Sequence, residues 1–328
     1  MTPTSVALRT TRRWALVAAL AIAPAACASA PSGDTAATLG AAPASAAAHR
    51  GTLFIVGGGP QPPALVEEFV RLAGGPGKAR IVVFAMASSS GLTSGEEKAV
   101  ELRGLGADAR NVFVDAAQAN TDSVARLLDG ATGVWFGGGD QVLLTRALKG
   151  TLTERAIHAR YDAGAVVGGT SAGAAVMSAI MITGDERHPG GARPVKDSTE
   201  SFMTIARENI VTDGGFGFVT DAIVDQHFVR RKRHNRLVSV VLESPVHLGV
   251  GIDESTALVV EPDGRWRVAG ASAAIVYDAR RATATPAGQT VGATGIVMHV
   301  LPAGSRFDPR TGKATLPATA AAPATTGR

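Results

Sequence analysis

Five short apolar runs, each closed by glycines or other small residues, constrain this chain more than any other feature. They are "GTLFIVGGG" from residue 51, "ARIVVFAMASS" from 79, "NVFVD" from 111, "GVWFGGGD" from 133 and "AVVGG" from 165. Helical patterns separate them: "VEEFVRLAG", "GEEKAVELRGLG", "TDSVARLLDG", "QVLLTRALKG" and "TERAIHARYDAG". Strands alternating with helices predict an α/β fold, a doubly wound, mainly parallel sheet with helices on both faces. In such folds ligands gather at the carboxyl ends of the strands, here the glycine turns. After Ser171 the alternation weakens, and a polar, Gly/Pro-containing stretch over 184–200 precedes several β-like runs. That stretch reads as a loop able to reshape or cover a pocket.

The fifth run leads into "VVGGTSAGAAVMS", residues 166–178. Small residues crowd a strand-to-helix turn, and Gly169, Ser171 and Gly173 fit the G-x-S-x-G spacing of a nucleophile elbow. A serine that merely caps the following helix would leave the same pattern. On this stretch alone both readings stand.

Composition narrows the context. The chain has 328 residues, 45% of them hydrophobic, and a formal charge of +4. Three positives, Arg9, Arg12 and Arg13, lie in the first 27 residues, which hold no acid, so the remainder is close to neutral. Global charge therefore signals neither nucleic-acid nor membrane-surface binding. The opening "LRTTRRWALVAALAIAPAACASA" has a basic start, an apolar run too short to span a bilayer and small residues after it, the pattern of an export signal. Its arginine pair partly matches a twin-arginine signal. "PAAC" is similar to a bacterial lipoprotein box, making Cys27, the chain's sole cysteine, a candidate lipid anchor. The expected organisation is a signal over 1–27, a flexible linker over 28–50, one catalytic α/β domain over 51–305 and a low-complexity tail over 306–328. The expected location is periplasmic, outer-membrane-anchored or extracellular. An exported chain with no second cysteine has no disulfide and no cysteine nucleophile in its folded part.

A serine nucleophile needs a base. Of seven histidines, His227 stands out in "AIVDQHFVRRKRHNRL", at the carboxyl end of an apolar run and beside a basic cluster. The acid that orients an imidazole is best sought in Glu254 of "GVGIDESTALVV", after another apolar run. Backbone N–H groups for an oxyanion are available at Ala172 and in "WFGGGDQ", at Gly138 or Gly139, although Asp140 there also suits a helix cap. No Cys/His cluster has zinc spacing, and neither a metal nor an organic cofactor is expected. "GGGP" lacks dinucleotide spacing.

Taken in order, "FGGGDQ", "GGTSAGAAVMS", "IVDQHFVRRKRHNRL" and "GVGIDESTA" resemble the cyanophycinase family of serine peptidases, whose clan includes aspartyl dipeptidases of the peptidase E type. The resemblance runs from about residue 52 to about 278. It implies a flavodoxin-like core related to class I glutamine amidotransferases, with serine replacing cysteine at the elbow. It implies hydrolysis of cyanophycin, a poly-aspartate with arginine on each β-carboxyl, to β-Asp-Arg dipeptides, and a homodimer. Carried over by position, Ser171 matches the nucleophile, His227 the base and Glu254 a third member. An acid soon after the elbow, here Asp185 or Glu186, is the alternative third member. Gly139 and Ala172 match the oxyanion donors, and Gln141, Gln226, Arg231, Arg233 and Arg236 the substrate pocket. Guanidinium groups suit the carboxylate on each arginine branch. Arg231 and Arg233, two apart, are expected to share a strand face with Arg236 close by. Aromatics do not interleave with these charges, so nucleic acid is a poor partner. Three other readings remain: an aspartyl or isoaspartyl dipeptidase, an α/β-hydrolase esterase, and a non-catalytic surface protein that binds peptides. In the esterase the acid precedes the histidine along the chain, the reverse of the order expected here.

Overall fold

A computed structural model describes residues 37–38, 51–187, 194–196 and 204–318. The expected export signal, Cys27, His49, His188 and the last ten residues lie outside the described residues, as does all of the expected linker but Ala37–Thr38, which pairs with Thr283–Ala284.

The five apolar runs form the parallel heart of a nine-stranded sheet. Its strands Thr52–Val56, Val166–Thr170, Gly133–Phe136, Arg80–Phe84 and Asp108–Val112 lie side by side in that order. Four of them are buried almost without alternation, as expected for a sheet covered on both faces, while Asp108–Val112, at the sheet edge and starting three residues before the expected run, alternates. Pro63–Leu72 and Gly91–Gly104 cover one face, around Phe54, Phe69, Ile81 and Trp135. Gln141–Leu148 and Leu152–Asp162 cover the other, around Phe84, Phe136, Leu144 and Tyr161. The expected helix after Thr121 is shorter than its pattern, a turn of α-helix over Asp122–Ala125 continued by a 3-10 turn to Leu128.

On its other side the parallel block is extended by antiparallel strands Thr256–Val260, Trp266–Gly270, Arg306–Asp308 and Lys313–Thr315. The last two fall in the expected tail, so strand structure continues past residue 305; Phe307 is buried against Trp266 and anchors the addition. A second sheet, ordered Ile223–Asp225, Leu248–Ile252, Ala273–Asp278 and Val297–Pro302, packs around the helix His234–Glu243. A third pairs Ile180–Arg187 with Ile210–Gly214 and Pro194–Lys196. The polar stretch expected to be a loop thus begins as a strand, because its backbone pairs even where its side chains are hydrophilic.

Candidate active site

The strand Val166–Thr170 runs straight into Ser171, whose φ of 54° and ψ of −110° lie outside the ordinary wells of an L-residue. The turn is tight enough to need glycine on both sides. A Cβ on Gly169 would sit 2.5 Å from the Gly173 carbonyl oxygen, and one on Gly173 2.2 Å from that of Phe136. The Ser171 hydroxyl makes no capping bond to the following helix. It donates instead to Nε2 of His227, 2.9 Å away. The two readings of the elbow thereby separate, and the helix-cap reading fails.

His227 arrives two residues after the strand Ile223–Asp225 and is itself left-handed, at φ 48°. Its N–H bonds the Gly57 carbonyl, and Gly58, at φ +104°, lies directly against the imidazole. Nδ1 is 2.6 Å from Oε1 of Glu254, which follows the strand Leu248–Ile252. A carboxylate only accepts, so Nδ1 carries the proton and Nε2 keeps its lone pair for the serine hydroxyl. Burial lowers the imidazole's pKa from its usual value; the Glu254 bond opposes that shift and the charge of Arg231 adds to it. The ring is thus held neutral, the state a general base requires.

Ser171 opens onto a cleft of about 450 Å³ that also exposes Gly139, Gln141, Gln226, Arg231 and Arg233. Gly139, at φ +136°, could not carry a side chain, since a Cβ would lie 2.1 Å from the Ala87 carbonyl oxygen. Asp140 beside it caps the next helix through the Val142 N–H, as the cap reading of "GGGD" expects. Gln141 is buried and donates to the carbonyls of Ile182 and Thr183, tying the elbow side of the cleft to the polar strand. Arg233 is buried and donates to the backbone and side-chain oxygens of Gln226. Burial first, then the nearby charge of Arg236, hold its guanidinium below its ordinary range. An anion entering the cleft would relieve that cost.

Residues 53–266, which span all three members of the hydrogen-bonded line, match the model of Peptidase family S51. The chain belongs to this family. S51 is a family of serine-type peptidases, in keeping with a serine at the elbow. Similar relatives are cyanophycinases from Synechococcus elongatus, 32% identical over 203 residues (60% of this chain and 59% of the relative), and from Trichormus variabilis, 35% identical over 196 residues (58% and 61%). The match spans about three-fifths of the length of each relative. A crystal structure of a peptidase from an acI-B1 Actinobacterium shares the fold, with a TM-score of 0.57 and 21% identity over 79% of this chain and 96% of that one.

Not every expected residue lines this S51 cleft. Arg236 is 1% exposed and bound through Nε and a second guanidinium nitrogen to Asp225, away from the opening. Its expected role in gripping substrate is corrected to that of a buried counter-ion, held there because Asp225 sits at the end of an apolar strand. The segment carrying Arg231 and Arg233 is a series of turns rather than a strand, with Lys232 at φ 55°, so the two do not share a strand face. Asp185 faces the cleft and Glu186 is buried near Asn209, while the bond to the imidazole comes from Glu254. His158, His234 and His247 bond to Phe216, Tyr277 and Val241, and His299 packs near Phe307.

Two residues escaped sequence reasoning. Arg146 joins the cleft; it lies four after Val142 on one helix face, a spacing that could have flagged it. Asp253 accepts from the Val229 and Arg230 N–H groups and from the Ser272 hydroxyl, clamping the turn behind His227. Nothing in the sequence marks that role.

Proposed function

We propose that this S51 chain hydrolyses cyanophycin to β-Asp-Arg dipeptides through an acyl-enzyme on Ser171. The observation that carries the reading is the hydrogen-bonded line Ser171–His227–Glu254 opening on a cleft with three arginines, Arg146, Arg231 and Arg233. His227 takes the hydroxyl proton as Ser171 attacks the aspartyl carbonyl, and the N–H groups of Gly139 and Ala172 receive the developing oxyanion. His227 then protonates the leaving amine, and water, deprotonated by the same imidazole, releases the acyl group. Glu254 keeps Nδ1 protonated and stabilises the imidazolium. The arginines grip the carboxylate of a branch, with Gln141 and Gln226 shaping the cleft around it. The kinship with cyanophycinases supports this choice of substrate over a plain aspartyl dipeptide. The acid follows the histidine along the chain, which counts against an esterase of the α/β-hydrolase type.

The test is incubation of the purified chain, and of Ser171→Ala, with insoluble cyanophycin, with soluble products read by mass. Release of β-Asp-Arg by the wild type alone is the expected result. Ser171-dependent cleavage restricted to aspartyl or isoaspartyl dipeptides would replace the substrate, and silence on both would overturn the reading. We also propose export, on the strength of the basic, then apolar, leader ending at Cys27; recovery of the mature protein in the cytoplasmic fraction would refute it. Lipidation of Cys27 and a homodimer complete the proposal, checked by intact mass and by sedimentation.

A further inference from the structure

A second cleft, of about 470 Å³, meets the same glycine run as the arginine cleft: Gly138 lines the second and Gly139 the first. Its wall carries Gln61, Glu97, Lys98, Glu101 and the Trp135 ring. Lys98 is fully engaged. Its Nζ donates to Gln61 at 2.8 Å and to Glu101 at 2.7 Å and sits 4.5 Å from the centroid of Trp135. With Glu101 offset by Lys98, the charge of Glu97 is left over and the wall is net negative. The arginine cleft is the reverse: Arg146, Arg231 and Arg233 outnumber Asp140 and Asp185.

The loop after the first strand connects this second cleft to the base. Gly58 touches the His227 ring, Gly59 approaches Glu254, and Gln61 reaches Lys98. The amine that His227 protonates is the first atom of the leaving half of a substrate. The loop thus joins the atom that delivers this proton to the Gln61 end of the second cleft. Resting on the proposed reaction, we propose that the second cleft is the leaving-side subsite and binds a guanidinium, that of the arginine branch on the departing residue. Glu97 and Glu101 supply the carboxylates, and Trp135, with Lys98 over its ring, walls the slot. Opposite charge on the two sides of the nucleophile then orients a polymer whose every branch carries both a guanidinium and a carboxylate.

The experiment is a calorimetric titration of the full chain with argininamide, a guanidinium without a carboxylate, against citrullinamide, its neutral isostere. Saturable binding of argininamide only, weakened about tenfold in Glu97→Gln, is expected. Glu97 is exposed, so its replacement leaves the core untouched. No saturable binding, equal binding of citrullinamide, or binding undiminished in both Glu97→Gln and Glu101→Gln would overturn the subsite. Because the titration needs no hydrolysis, it can fail while Ser171-dependent cleavage of the polymer stands, and the converse also holds.

Discussion

Gly58→Ala should disable the base without unfolding the chain. A Cβ at this position would lie 2.3 Å from Cε1 and 2.4 Å from Nε2 of His227, where ordinary contact begins near 3.4 Å. The ring must therefore move by about 1 Å, because the other wall of the contact is backbone. Nε2 is the atom that meets the Ser171 hydroxyl, so the whole displacement falls on the reacting pair. A misplacement of that size lowers kcat by about 100-fold. The backbone adds its own penalty: φ is +104°, and an alanine there costs about 1–2 kcal/mol. For a domain of this size that lowers Tm by roughly 2–4 °C per kcal/mol. The assay is kcat on the substrate established for the wild type, with circular dichroism melting in parallel. Gly104→Ala is the control, since an added Cβ there meets nothing within 4 Å. A folded Gly58→Ala enzyme with kcat within about threefold of wild type, under 1 kcal/mol of barrier, would refute the tight seating of His227.

Two further outcomes follow from the charges around the site. Activity needs neutral His227, so kcat/KM falls as pH drops through its pKa, which burial and then Arg231 hold below the usual histidine value against the pull of Glu254. Arg231→Ala removes a charge that disfavours imidazolium and should move the acid limb to higher pH; Glu254→Gln should move it lower while cutting kcat by about 10⁴-fold. Asp225→Asn breaks an ion pair whose members are each 1% exposed. It should destabilise the chain by about 3–5 kcal/mol, read as a lower urea midpoint with the m-value unchanged.

The sequence displays four of the five parallel strands openly, because strands buried on both faces read as unbroken apolar runs, whereas the edge strand Asp108–Val112 is polar and only its last two residues fall in the expected run. The elbow and its partners were legible for a related reason. Ser171, His227 and Glu254 each sit just beyond an apolar strand, where side chains meet at one rim. The turns after His227 were not legible. Left-handed residues other than glycine, such as His227 and Lys232, leave no local mark, and a run of alternating arginines looks the same in a turn as in a strand. The burial of Arg236 depends on Asp225, eleven residues away, and on the packing of its own helix against the four-stranded sheet, a tertiary fact. Arg306–Asp308 and Lys313–Thr315 were hidden by polar edge sequence, which only Phe307 and backbone pairing recruit to the sheet.

Ser171 follows a strand of the nine-stranded sheet, while His227 and Glu254 follow strands of the four-stranded one, and the last of the three is residue 254. During synthesis, a chain halted before that point holds the hydroxyl and the imidazole but no acceptor for the Nδ1 proton. Until residue 254 has left the ribosome and both layers have closed on each other, the imidazole lacks the carboxylate that orients it, so full activity waits on completion of the fold.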